Sequence, residues 1–316
     1  MSILTSSQFG FRPGISTADA ISSLSEFLYD SLNNRFSTIT VFVDFRRAFD
    51  TVNIEILLRK LYSYGIRGIS HKLFSSYLAN RSHFTLVNGA SSSVRSSRIG
   101  VPQGSVLGPL LFLIYINDLP NVSKVSNTVL FADDTTLSFK NANINELFKI
   151  CNIEMANFSK WAVANRLSIN TEKTFYCVVS NRNLNYNSYP NVLLDGQNID
   201  RVEKLRFLGV IFDDQLKFNH HIDFISKKVS KSTGILNRIK NHVPHSILKL
   251  LYSSLIYSHF SYCNLIWGGT FSSHIQRLVL LQKKSIRIIN NSNYLAHTNE
   301  LFIKNSLLKM ADINIF

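Results

Sequence analysis

Leu130-Phe131-Ala132-Asp133-Asp134-Thr135-Thr136-Leu137 sets two adjacent carboxylates between short apolar, β-prone flanks. The pattern predicts a strand pair that carries Asp133 and Asp134 at its turn and presents them to a cleft. Adjacent acids repel each other unless something cationic lies between them and a partner, so the arrangement asks for a divalent metal and a third carboxylate. The best candidate is Asp44, at the end of Ile39-Thr40-Val41-Phe42-Val43. That run scarcely alternates, as expected of a strand buried on both faces. A carboxylate closing such a strand is costly without a partner. Either Arg46 or Arg47 neutralises it or a metal does, and the two arginines are equally placed to serve phosphates.

Three acids from two elements of a mostly antiparallel sheet suit two magnesium ions ~3.5–4 Å apart, with manganese as a substitute. One ion lowers the pKa of an attacking hydroxyl; the other holds a triphosphate and its leaving group. Because side chains alternate along a strand, Asp133 and Asp134 cannot face the metals equally. Asp133 takes the central place and Asp134 the weaker or indirect one. Magnesium also accepts carbonyl oxygen, which makes the Phe45 carbonyl an additional contact. The candidates for such a constellation are nucleotide polymerases, nucleotidyl cyclases and metal-dependent nucleases.

The rest of the composition fits a nucleic-acid partner. Lys and Arg number 34 against 20 Asp and Glu, a net charge of +14 that has to be spent on something anionic or on solubility alone. Three scattered cysteines, Cys151, Cys177 and Cys263, lack the paired spacing of a zinc ribbon or knuckle and indicate a reducing compartment. No apolar run approaches the ~20 residues that span a bilayer, and Met1 is followed by polar residues rather than a signal-peptide pattern. The expectation is an intracellular protein without a membrane partner, nuclear or in a cytoplasmic ribonucleoprotein.

Around the acids, Ser16 and Asp19 are spaced as a capping box for a helix carrying Ile21, Leu24, Leu28 and Leu32. Arg12, in a Gly/Pro loop, meets a phosphate or a carboxylate of the fold, and local sequence favours the carboxylate. Asn53 caps a second helix, and Asn88-Gly89 joins strands His83 to Val87 and Val94 to Ile99. Gly100-Val101-Pro102-Gln103-Gly104-Ser105 breaks regular structure, either as an ordinary turn or to let backbone approach a flat ligand. Ile144, Leu147, Cys151, Met155, Phe158 and Ala162 recur at helical spacing as core. Phe175 to Val179 and Lys204 to Phe212 read as strands. Beyond Phe218 only helices are expected, and His220-His221 reads as surface.

Five ordered blocks make the chain resemble the reverse transcriptase domain of non-LTR retrotransposons, the jockey-like and related LINE elements, and more distantly the group II intron enzymes. They are Gln8-Phe9-Gly10-Phe11-Arg12-Pro13-Gly14, Val43 to Asp50, Gly100 to Pro109, Phe131-Ala132-Asp133-Asp134, and Phe207-Leu208-Gly209. The resemblance runs from about Ser7 to Phe218 and more loosely through the tail. It implies that Asp44 and Asp133 bind metal with Asp134 as companion. It makes Phe49 the steric gate, although local sequence alone reads that residue as a core aromatic. Gln103 and Gly104 pack along the template base and incoming nucleotide, Lys173 lies near the triphosphate, and Phe207-Leu208-Gly209 grips the primer.

The implied fold is an α+β right-hand polymerase: partial fingers and a ferredoxin-like antiparallel palm over 1–215, then a helical thumb over 216–316. The implied reaction is RNA-directed DNA synthesis on an RNA template from a DNA primer and dNTPs. Relatives carry more fingers sequence, an endonuclease domain and a Cys/His knuckle. The chain is therefore expected to be N-terminally truncated and to work with a separate endonuclease or another element-encoded protein. The alternative is a catalytically silent remnant that only binds nucleic acid.

Overall fold

Strand β1 (Ser37–Val43) lies inside a five-stranded sheet, and its sequence follows from that place. Ile39, Val41 and Val43 are buried toward one face, Thr38 and Thr40 toward the other. A computed structural model of the chain describes residues 3–182, 184, 185 and 188–313. Helix α1 (Thr17–Asn33) precedes β1, and its start is the expected box, with the Asp19 carboxylate accepting from the backbone N–H and the hydroxyl of Ser16, both at 2.7 Å. The Thr38 hydroxyl donates to Ser31 Oγ at 2.6 Å and ties β1 to α1.

Between β1 and α4 (Leu107–Ile116) the chain makes an excursion through α2 (Ile54–Ser63), α3 (Gly68–Leu78) and four short strands. β2 (Arg81–His83) pairs with β5 (Arg95–Ser97), and β3 (Leu86–Val87) with β4 (Ala90–Ser91), across Asn88-Gly89 at φ 49° and 82°. The expected single hairpin is thus two nested ones on the same turn. The excursion leaves and returns at one point, where Asn53 bridges Ile99 and Gly100 N donates to Val52 O at 2.7 Å.

The chain continues through β6 (Asn127–Phe131), β7 (Asp134–Asn141), α5 (Ile144–Ala164), β8 (Phe175–Val179), β9 (Leu193–Leu194), β10 (Gln197–Asn198) and β11 (Asp200–Arg201). Sheet order is β11-β8-β1-β7-β6, antiparallel except for the β11–β8 pair. Without β11, the connectivity β1-α4-β6-β7-α5-β8 in the order β8-β1-β7-β6 is a ferredoxin-like α+β arrangement. Leu147, Cys151, Met155 and Phe158 of α5 belong to the main core with Ile39, Val41 and Val43, as their spacing predicts.

Two compact units result, Met1–Val202 and Glu203–Phe316. The segment read as one strand is a hairpin that belongs to the second unit. β12 (Lys204–Phe207) and β13 (Val210–Asp213) turn at Leu208-Gly209, and the Asp213 carboxylate accepts from the N–H groups of Lys217 (2.9 Å) and Phe218 (2.6 Å), holding the start of the next helix. That unit then contains α6 (Asn219–Ile239), α7 (His245–Tyr252) running through a π turn into α8 (Ser258–Ser261), α9 (Asn264–Trp267), α10 (Ser272–Ile289) and α11 (Asn299–Asn305). Among the described residues no helix is long and apolar enough to cross a membrane.

Candidate active site

Phe131 pairs with Asp134, so Ala132 and Asp133 form a two-residue turn between β6 and β7. Ala132 takes φ 55°, a value that tight hairpin turns usually give to glycine or asparagine. An external brace holds it there. Phe9 N donates to Leu130 O (2.8 Å) and Leu130 N to Ser7 O (2.9 Å). The buried side chain of Gln8 accepts at Oε1 from Ala132 N (3.1 Å) and Gly10 N (2.8 Å). Gly10 lies so close that a Cβ on it would be 2.5 Å from Ala132 N.

Sequence reasoning gave Gln8 and Gly10 no role in the site, and no local pattern reports a contact across 124 residues. Arg12, the residue it did select, donates from Nη1 to Thr5 O (3.0 Å) and Gln8 O (2.9 Å). The guanidinium therefore closes its own loop, where the sequence favoured a carboxylate partner.

One step beyond the Val43–Thr135 pair, the antiparallel register sets Asp44 beside Asp134. The other side of Asp44 is fixed by the turn before β8. Asn170 N donates to Asp44 O (2.8 Å), Asp44 N to Thr174 Oγ1 (3.3 Å), and Asn170 Nδ2 to Asp44 Oδ2 (3.0 Å). Asn170 thus meets the carboxylate, while Arg46 and Arg47 are exposed. Phe45 turns its ring into the core against Phe158, centroids 6.1 Å apart, leaving only its backbone for the site. Lys173 is exposed in the Thr171–Lys173 turn, three residues from Asn170.

The acids feel one another. Burial raises the pKa of Asp133, and the charge of Asp44 adds to the rise. Asp134 reaches solvent, yet the protein packed around its carboxyl and the charges of Asp133 and Asp44 push it up to about 6. A set of carboxylate oxygens carrying uncompensated repulsion suits a hard divalent cation such as magnesium or manganese. Among the described residues, however, no three His, Cys, Asp or Glu side chains converge into a ready metal group. The three acids share one end of the sheet without closing on a single point.

Phe49 lies in a short 3-10 turn, Ala48–Asp50, and stacks on Phe112 of α4 at 4.4 Å and 27°. The loop of residues 100–105 docks on that turn: Val101 N donates to Phe49 O (3.0 Å), and Gln103 Nε2 to Asp50 Oδ1 (2.6 Å). The two loop glycines differ. A Cβ on Gly100 would lie 2.8 Å from Asp50 O, whereas Gly104 faces open space and needs only its φ of 76°.

Residues 1–212 match the family model for reverse transcriptase (RNA-dependent DNA polymerase). The chain belongs to this family. Among curated relatives, the RNA-directed DNA polymerase from mobile element jockey of Drosophila melanogaster is 27% identical over 93% of this chain, and 33% of the relative's own length is covered. The probable RNA-directed DNA polymerase from transposon BS of the same species is 28% identical over 92% of the chain and 33% of its own length. The chain thus spans about one third of the relatives it matches. Among solved structures, apo telomerase from Candida tropicalis superposes with a TM-score of 0.48 at 13% identity, over 98% of this chain and 52% of that one.

In this reverse transcriptase family member, the Phe207-Leu208-Gly209 block is the β12–β13 turn. Phe207 is buried, and Leu208 and Gly209 take φ 43° and 96°. Tyr262 donates its hydroxyl to Leu208 O at 2.6 Å, and its ring would lie 3.2 Å from a Cβ on Gly209.

Proposed function

We propose that the chain is the RNA-directed DNA polymerase module of a non-LTR retrotransposon, extending a DNA 3′-hydroxyl on an RNA template with release of pyrophosphate. The observation that carries this reading is the coupling of Asp44 with Asp133 and Asp134 at one end of a ferredoxin-like sheet, in a chain of this family. Asp44, Asp133 and Asp134, with Phe45 O as an added oxygen, are the residues that would hold two magnesium ions, which would supply charge for activating the primer hydroxyl and holding the triphosphate. Phe49, fixed from below by Phe112, excludes a 2′-hydroxyl. Gln103 and Gly104 line the template base and incoming nucleotide, and Lys173 meets the triphosphate. Arg12 supports the site through the Gln8 loop.

Residues 1–215 correspond to partial fingers and palm, 216–316 to the thumb, and Phe207-Leu208-Gly209 to the primer grip. RNA template, DNA primer and dNTPs are the partners, with an endonuclease supplied by another part or protein of the element. Primer extension with purified protein, magnesium, an RNA template and dNTPs tests the reading, and Asp133→Ala is expected to abolish product. The net charge of +14 also fits a second reading, a silent nucleic-acid-binding remnant. Salt-sensitive hybrid binding with no extension by wild type would select that one.

A further inference from the structure

The turn ahead of β8 does more for Asp44 than close a loop. Ser168 O accepts from Arg46 N at 2.8 Å and Ile169 bridges Phe45, so the chain reaches Asn170 already paired to the end of β1. The next five residues then take both backbone groups of Asp44. Asn170 N donates to Asp44 O (2.8 Å), and Thr174 Oγ1, on a fully buried residue, accepts from Asp44 N (3.3 Å) while donating to Asn170 O (2.8 Å). The carboxylate is held as well: Asn170 Nδ2 donates to Asp44 Oδ2 at 3.0 Å, and Oδ1 takes no hydrogen bond among the described residues. Among those residues no side chain donates to the carboxylate of Asp133 or Asp134, so Asp44 is the one acid of the three with an outside donor.

That donor is neutral. A lysine or arginine at this place would occupy Oδ2 and cancel the charge of Asp44 together, and the nearest cations in sequence, Arg46 and Arg47, are exposed instead. An amide fixes the oxygen and leaves the charge, which both Asp133 and Asp134 feel. We propose that Asn170 is a positioning residue for the divalent cation that Asp44 would hold: its amide fixes the carboxylate through Oδ2, so that Oδ1 is set before the cation arrives. What the cation does rests on the polymerase reading; the fixing of Asp44 does not. A carboxylate already ordered spares metal binding the cost of freezing its rotation, and hydrogen-bond partners of metal-ligating groups are worth roughly 10–100-fold in affinity.

The test uses the full chain. Mn2+ is titrated into wild type, Asn170→Ala, Asn170→Lys and Asp44→Asn, with the free ion counted by electron paramagnetic resonance. Urea unfolding without metal and primer extension over a Mn2+ series accompany it. Asn170→Ala is expected to weaken binding roughly tenfold or more. The Mn2+ needed for half-maximal extension should rise by the same factor, while the rate at saturating Mn2+ returns toward that of wild type. Asn170→Lys should bind more weakly still, although by neutralising Asp44 it unfolds at no lower urea than Asn170→Ala. A merely structural Asn170 would make binding follow stability, with the Lys variant binding better than the Ala variant. That order overturns the proposal, as does wild-type binding by Asn170→Ala or Asp44→Asn, or no binding by wild type. Wild type that binds Mn2+ but extends no primer defeats the polymerase reading alone, and the Asn170 shift in binding stays readable.

Discussion

Two tight turns, Ala132-Asp133 and Leu208-Gly209, have the same length and both use positive φ, yet they are stabilised in opposite ways. The first puts alanine where glycine is at ease and depends on a distant amide, Gln8, to hold the strain. The second uses glycine and is fastened by a single exposed hydroxyl, that of Tyr262. One carries mutually repelling carboxylates and the other adjoins a cationic cavity. The turn that places charge is braced at its backbone N–H groups by a buried amide; the other is held at one carbonyl by a half-exposed tyrosine.

The largest expected difference between them is chemical. Asp133→Ala should lower the single-turnover extension rate by roughly a thousandfold, the several kcal/mol that lost charge stabilisation represents, while hybrid affinity is kept. Affinity falling in step would make the acid turn a binding element and erase the contrast. Next in size is the brace. Gln8→Ala leaves two buried N–H groups without an acceptor and should cost about 2–4 kcal/mol in urea unfolding, against about 1 kcal/mol for Tyr262→Phe. Equal costs would show that both turns are held alike.

Smaller and opposite in sign are the backbone exchanges. Gly209→Ala should destabilise by about 1–2 kcal/mol, since φ 96° is strained for alanine and the Tyr262 ring must give way. Ala132→Gly should be neutral or stabilise by up to about 1 kcal/mol, its relief of strain offset by a looser unfolded chain. A costly Ala132→Gly would mean that Gln8 leaves no strain to relieve.

The smallest effect is on pH dependence. Asp134 is held above its unfolded pKa, so without metal the folded state binds the extra proton and stability declines as pH rises from about 4 through about 6. Asp134→Asn should blunt that decline in thermal melts. The solvent reaching this side chain keeps the gain modest.

What the sequence made legible was whatever carried a local signature. The apolar run before Asp44 became β1 because a strand buried on both faces has to be apolar, and Asp133-Asp134 stood out because paired acids have no packing rationale. Phe175–Val179 is β8 with the expected bounds. The β12–β13 hairpin was hidden because leucine rarely takes positive φ, so Leu208 reads as continuous strand. Beside His220, His221 reads as surface, yet it stands one and two helical turns from Ile225 and Val229 on the buried face of α6. Gln8 was silent for a different reason: its role exists only after two segments far apart in the chain have met.

The bridge between Asn53 and Ile99 gives the excursion after β1 a single shared doorway. Once that doorway is closed, the entropy of whatever lies beyond grows only with the logarithm of its length, about 0.6 kcal/mol per doubling. Descendants of this sequence are therefore free to lengthen, shorten or exchange that segment cheaply. The carboxylates at the end of the sheet can stay fixed while the neighbouring cassette diversifies.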